Sequence, residues 1–378
     1  MTNKIMYTLA MLFSLGCLSC SGAENGNADS NGTAGEEADT QAHCLANASA
    51  TAEAQKVYSI LWQLNGTKTV SGTVANVDWN TREAENVKAW TGRWPALNVF
   101  DFINLPHSKD VDPKGWIDYS DLSVAVDWWR AGGLVGAMWH WQVLANNGTD
   151  YTCTPGMQSG ETSFDPSCID NPQSAGYKQL TSDLDQVAVY LKGLQKKGIP
   201  VIWRPLHEAA GNTYEYDGGK AWFWWGIKGA DTYKKLWRWM YFRLVNHHHL
   251  NNLIWVWCSQ MGDDDWYPGD DVVDIVARDS YYALQYPLMK EYKTLAAKYP
   301  TKLIALAECG NGDDVKMSSW GDIWSEGSRW AWFMPWYDYD YNSGKASTHR
   351  YADKQWWTDA FATGVVIDRD QMKALLAK

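Results

Sequence analysis

Ile199-Pro200-Val201-Ile202-Trp203-Arg204-Pro205-Leu206-His207-Glu208 is a short apolar run that turns polar at its end. Just upstream, Leu180, Leu184, Val187, Leu191 and Leu194 step by four and three, one apolar stripe of a helix that Gly198 stops. A helix feeding a buried strand is one half of a crossover unit, and the same alternation continues in both directions. Strand-like runs occupy Thr69 to Thr73, Ala96 to Phe102, Gly133 to Trp141, Ile199 to Glu208, Asn252 to Ser259, Val273 to Tyr281, Lys302 to Gly310 and Arg329 to Tyr337. A second helix is predicted from Gly229 to Leu250. Eight strands alternating with helices predict an α/β fold, a (β/α)8 TIM barrel, and no internal repeat or second domain interrupts the pattern.

The chain has 378 residues, so about 330 remain for that barrel once the N-terminal segment is set aside, a normal size for one domain. A formal net charge of -11 repels phosphate backbones and anionic lipid heads, which argues against a nucleic-acid partner. There are 25 Trp and 20 Tyr against 8 Phe, a bias toward rings with an apolar face and a hydrogen-bonding edge. Sugars present C–H patches and rim hydroxyls, which such rings match. Most of the tryptophans are nonetheless expected to fill the core.

At the N-terminus Lys4 precedes the apolar run Ile5 to Leu15, too short to span a bilayer and typical of a signal peptide. Cys17 and Cys20 follow directly, each after a small residue, a pattern that resembles a bacterial lipobox. Cys20 is the expected lipidation site, with Cys17 as the alternative, and cleavage without a lipid is the plainer reading. Ser21 to Ala42 holds no apolar residue larger than Ala and cannot fold alone. The expected organisation is therefore a lipoprotein-type signal at 1–20, a flexible tether at 21–42 and the barrel domain at 43–378. The chain is expected to be exported, held at the bacterial outer membrane or cell surface through its lipid alone, and monomeric.

Cys153 and Cys168 lie in one irregular Gly-, Pro- and Ser-rich segment, where an exported protein can keep a disulfide, and that pair is predicted to be bonded. Cys258 and Cys309 sit on apolar runs and are expected as buried thiols. No cysteine spacing suits zinc or haem. The triplet His247-His248-His249 does not suit a metal either, because consecutive helical residues project about 100° apart; a cluster at a helix C-terminus fits it better. No metal and no cofactor are expected.

Two of the strand runs finish in a glutamate, the fourth in Glu208 and the seventh in Glu308. Active sites of such barrels lie at the C-terminal ends of the strands, and strands four and seven face one another across the mouth. Cleaving a glycosidic bond with retention needs two carboxyl groups about 5 to 5.5 Å apart, one protonated and one ionised. A single glutamate at a strand end would read as an ion pair or a cap. Two in these positions point to glycoside hydrolysis, with Arg204 placed by alternation to help orient the site.

Trp203-Arg204-Pro205-Leu206-His207-Glu208, then Trp222 to Gly226, Asn252 to Trp257, Tyr267 to Asp270 and Asp274 to Tyr281 together resemble the β-mannanases of glycoside hydrolase family 26, from about residue 50 to the C-terminus. The resemblance implies Glu208 as acid/base and Glu308 as nucleophile. It further implies that Tyr281 bonds the nucleophile, Asp279 lies beside the site, His207 positions the acid or a sugar hydroxyl, and His140 lines the cleaved sugar's subsite. Trp336 would be the platform under that sugar and Trp222 a wall on the leaving-group side. The expected partner is a β-mannan polysaccharide or manno-oligosaccharide, with endo and exo attack both open. The competing readings are the same machinery on mixed-linkage glucan or β-xylan, and a non-catalytic surface glycan-binding protein. One departure from the family pattern is the extra stretch Ala209 to Ala221 between Glu208 and Trp222, which should reshape the leaving-group side.

Overall fold

The computed structural model describes residues 43–75, 79–281, 284–312, 315–338 and 349–378. Cys20, the signal segment and the tether fall outside the described residues. Eight strands form the barrel: β1 Thr69–Val74, β2 Leu97–Asp101, β3 Leu134–Trp139, β4 Val201–Pro205, β5 Leu253–Ser259, β6 Ile275–Tyr281, β7 Leu303–Gly310 and β8 Trp332–Pro335. Every neighbouring pair is parallel, and Val70 opposite Trp332 closes β8 onto β1. The predicted (β/α)8 TIM barrel is the observed fold.

Period-two alternation divides the strand side chains between two cores. Leu97, Leu134, Met138, Ile202, Val256, Ile275, Ala277, Leu303, Ala305 and Trp332 fill the inside. Phe100, Val135, Ala137, Trp203, Trp255, Val276, Ile304, Leu306 and Phe333 face the helices. Packing inside is tight at Gly136, where an added Cβ would stand 2.6 Å from Val99 Cγ2, so any side chain there would have to displace Val99. About two thirds of the 25 tryptophans are buried, so the surplus of indole is first of all core.

The helix between β3 and β4 runs Ala175–Gln195 and buries all five residues of its predicted stripe. The helix after β4 differs from expectation: it is α-helical over Gly229–Phe242 and continues as a single π turn over Arg243–His247. Asp185 explains the widened turn, because it accepts from both Arg243 at 2.7 Å and His248 at 2.6 Å. The histidine triplet thus ends a helix, tied to Asp185 through His248.

The Cys153–Cys168 disulfide expected from the sequence is not formed, and both residues are free thiols. Cys153 follows a small hairpin, Val143–Leu144 against Tyr151–Thr152, and is tied by its carbonyl to Trp224 N at 3.0 Å. Cys168 stands on the 3-10 turn Pro166–Asp170 with its Sγ turned to the first turn of the following helix, 2.9 Å from where a Cβ on Gly176 would sit. Backbone hydrogen bonds and a close helix, rather than a covalent staple, hold that segment. Cys258 and Cys309 are buried free thiols, as expected.

Candidate active site

Strand alternation alone would not put Glu308 inside the barrel. On β7, Leu303 and Ala305 point in and Ile304 and Leu306 point out, so position 308 would fall outside if the pattern ran on. The register with β6 jumps instead: Arg278 pairs with Leu306, and the next residue, Asp279, pairs with Glu308. On the other side Phe333 pairs with Leu306 and Pro335 with Cys309, the same extra residue. This bulge at Ala307 turns Glu308 inward, the re-aiming that bulges perform beside active sites.

Glu308 is then fully engaged. Its Oε2 accepts from Tyr281 Oη at 2.6 Å and its Oε1 from Arg204 Nη2. Arg204 Nη1 also donates to Asp279 Oδ2 at 2.8 Å, and Cys258 Sγ donates to the same oxygen at 2.9 Å. Arg204, Asp279 and Glu308 are all buried. One guanidinium between two carboxylates leaves a single net negative charge, and the planar fork is what lets it hold both. Burial opposes the charge on Arg204, but Asp279 and Glu308 outweigh it and hold the guanidinium charged. Arg204 therefore serves the Glu308 side of the site.

Glu208 arrives differently. β4 ends at Pro205, and both Leu206 (φ 49°) and Glu208 (φ 50°) take the left-handed conformation that non-glycine residues adopt at a cost of order 1 to 3 kcal/mol. Alternation stops there: Leu206 packs among the outer residues, and Tyr233 Oη and Trp225 Nε1 hold the carbonyls of Leu206 and His207 at 3.2 and 2.9 Å. The Glu208 carboxyl has no hydrogen-bond partner among the described residues. Carboxyl oxygens of Glu208, Asp279 and Glu308 come within 4.8 Å of one another. Three carboxylates so gathered could hold a cation, but Arg204 already occupies two of them.

These surroundings separate the two glutamates. Burial and the Asp279 charge push Glu308 up to about 7, with Arg204 and Tyr281 holding it down. For Glu208, burial and the charges of Asp279 and Glu308 all act upward and Arg204 alone is a substantial counterweight, so its carboxyl is held well above the usual range. The last proton of the pair belongs to Glu208. Burial and the Glu308 charge likewise keep the Tyr281 hydroxyl protonated and donating.

His140 and His207 stand beside the pair with their Nε2 atoms 3.1 Å apart, sharing one proton. Asp101, at the end of β2, orients the first of them: its Oδ2 lies 2.6 Å from His140 Nδ1, and its Oδ1 accepts from the backbone N–H of His140 and of Ile103, both at 3.0 Å. Burial disfavours a charged His140, but Asp101 outweighs it and raises the group above 6.5. Burial, Arg204 and His140 press His207 well below 6.5, so it is neutral. The cleft above these groups, about 350 Å³, is lined by His140, Glu208, Tyr281, Glu308, Trp336 and Tyr351, among others.

Seven of the residues singled out from the sequence therefore converge: Glu208, Glu308, His140, His207, Asp279, Tyr281 and Trp336. Trp222 is half-buried at the foot of the extra stretch, and the ring that packs on His140 and His207 is its neighbour Phe223, with centroids at 5.7 and 5.4 Å. Asp101 was missed although it is the polar residue next to the end of the second strand run, and the rule that polar residues at strand ends carry function would have found it. Phe223 carried no polar signal.

The family model for glycosyl hydrolase family 26 matches residues 46–364. A mannan endo-1,4-beta-mannosidase from Thermothelomyces thermophilus is 36% identical over 299 residues, 78% of this chain and 57% of that protein. The chain spans about half the length of the curated relatives it matches. Among solved structures, the GH26 domain of an endo-beta-mannanase/endo-beta-glucanase from Prevotella bryantii superposes with a TM-score of 0.78 at 37% identity, covering 87% of this chain and 98% of that one. A beta-mannanase from a symbiotic protist of the termite Reticulitermes speratus, in complex with gluco-manno-oligosaccharide, gives a TM-score of 0.72 at 30% identity, covering 87% of this chain and 97% of that one.

Proposed function

Because the chain belongs to glycosyl hydrolase family 26, we propose that it hydrolyses β-1,4-mannosidic bonds in mannan, galactomannan or glucomannan with retention of configuration. The observation that carries this is the pair of opposed carboxyls, Glu208 and Glu308, with oxygens within 4.8 Å across an open cleft, a spacing that suits direct attack rather than an intervening water. A surface that only bound glycan would gain nothing from two such acids.

In the first step Glu308 attacks the anomeric carbon. The bond to the leaving oxygen breaks, its electron pair stays on that oxygen, and the proton from Glu208 neutralises it. Arg204 and Tyr281 keep Glu308 ionised and aimed. The glycosyl-enzyme so formed removes the Glu308 charge, which is one cause of the raised proton affinity of Glu208. Glu208 then takes a proton from water, whose oxygen attacks the anomeric carbon and releases Glu308. Trp336 and His140, 5.9 Å apart by ring centroids, would line the glycone side, under and beside the sugar being cleaved.

We further propose that the chain is exported and lipid-anchored through Cys20, or Cys17, with 21–42 as a tether that lets the barrel reach a polymer. Product chromatography on manno-oligosaccharides, galactomannan, xylan and mixed-linkage glucan tests the substrate. Release of manno-oligosaccharides is the expected result, and cleavage of only xylan or glucan would overturn it. Metabolic labelling with a palmitate analogue, lost in Cys20→Ser or Cys17→Ser, tests the anchor.

A further inference from the structure

The extra stretch after Glu208 is an ordered loop with its own fastenings. Gly211 N donates to the Glu208 carbonyl at 3.0 Å, so the chain turns outward directly at the acid/base. Asn212 then closes the loop: its N–H donates to Lys220 O at 3.2 Å and its Oδ1 accepts from Lys220 N at 2.9 Å. The chain comes back to the site at Phe223, against the two histidines.

The tip, Tyr214-Glu215-Tyr216-Asp217, is fixed sideways onto the segment that follows β5. Tyr214 lies on Gly262, where an added Cβ would come within 2.9 Å of it; its hydroxyl donates to Asp265 at 3.3 Å and accepts from Trp266 Nε1 at 3.1 Å. Tyr216 is held by its hydroxyl, which accepts from Asn212 Nδ2 at 2.5 Å, while its side chain stays 60% exposed. Met261, 48% exposed, stands next to Gly262 in the same segment. An aromatic ring held by its polar edge and left open on its face is an arrangement that stacking on a sugar uses.

The side of the cleft follows from chemistry. The acid/base protonates the leaving oxygen, so whatever is rooted at Glu208 borders the leaving group and the sugars beyond it. The Glu215 charge reaches Glu208 and adds to its raised proton affinity, which places the tip within electrostatic range of the acid. Glu215, Asp217, Asp264 and Asp265 make this rim acidic, which favours a neutral glycan over an anionic one.

We propose that the loop 212–220 builds an additional sugar-binding position on the leaving-group side, with Tyr216 as its stacking platform, for the reducing-end portion of a neutral β-linked glycan. This rests on the hydrolase reading above. The test compares wild type, Tyr216→Ala and Tyr216→Trp on mannotriose through mannohexaose and on 4-nitrophenyl β-mannobioside. Tyr216→Ala should lower kcat/KM on mannohexaose about threefold to tenfold, with a smaller loss on the aryl glycoside, and should shift the bonds cut in mannohexaose; Tyr216→Trp should restore both. Equal losses on all substrates would assign Tyr216 to folding alone and overturn the proposal, as would an unchanged mannohexaose pattern in Tyr216→Ala. A wild-type chain that cleaves no β-mannan would instead overturn the hydrolase reading itself, and the loop with it.

Discussion

Glu308 and Glu208 are the same residue type at the ends of two strands of one barrel, and they are held in opposite ways. Glu308 stands on a regular strand with one bulge, both oxygens bonded, next to a cation. Glu208 stands past the end of its strand on a left-handed backbone, its carboxyl without a hydrogen-bond partner among the described residues, next to anions. The bonded carboxylate favours ionisation and the unbonded one favours its proton. The proposed division of labour between nucleophile and acid follows from the neighbours of each carboxyl.

The contrast breaks most sharply when each carboxyl is deleted. Glu308→Ala and Glu208→Ala should each lose on the order of 10⁴-fold or more in kcat on mannan, by analogy with other removed nucleophiles. Only Glu208→Ala should recover on an aryl mannoside with a good leaving group, because that bond needs no protonation. Steady-state rates on the two substrates check this, and equal deficits on the aryl substrate would erase the distinction.

Arg204→Met should come next. It leaves Asp279 and Glu308 as buried like charges, so a loss of about 3 to 5 kcal/mol in stability is expected from the unpaired charge, together with a proton taken up by the site. Denaturant melts and the pH profile of kcat/KM report both. Tyr281→Phe should be milder, on the order of tenfold to a hundredfold in kcat, roughly the loss of one hydrogen bond to a charged group. The sign of its pH effect is fixed: Tyr281 lowers the Glu308 pKa, so its removal raises that pKa and moves the acid limb of kcat/KM to higher pH. The alkaline limb, set by Glu208, should stay near its place.

Asp101→Asn should have the smallest effect of these substitutions, a few-fold to about tenfold. Asparagine keeps an acceptor for the two backbone N–H groups but presents an amide donor to His140 Nδ1, reversing the tautomer and lowering the raised His140 pKa. The change should appear mainly in KM and in the pH dependence of KM, which a merely destabilised protein would not show.

Much of the barrel was legible because its signal is local. The Leu180 to Leu194 stripe and the eight apolar runs each declare themselves within about fifteen residues, and all eight became strands. Strand ends were less legible: the run to Glu208 stops as a strand at Pro205, which lacks an N–H, and the run from Arg329 to Tyr337 contracts to Trp332–Pro335. Glu208 and Glu308 were found by position, yet the inward turn of Glu308 depends on a register shift against two neighbouring strands that no local pattern carries. Asp101 could have been found by the same positional rule, but its pairing with His140, 39 residues away, could not. The expected Cys153–Cys168 bond failed because a shared irregular segment does not set which way two side chains turn.

The extra residue at Ala307 makes parity, rather than identity, the property on which the nucleophile depends. With Ala307 present and no bulge, strict alternation would send the carboxylate toward the helices and the thiol of Cys309 into the cleft; with Ala307 deleted, Glu308 would directly follow the outward Leu306 and still point in. The inward carboxylate thus depends on the strand absorbing its one extra residue as a bulge against both neighbours.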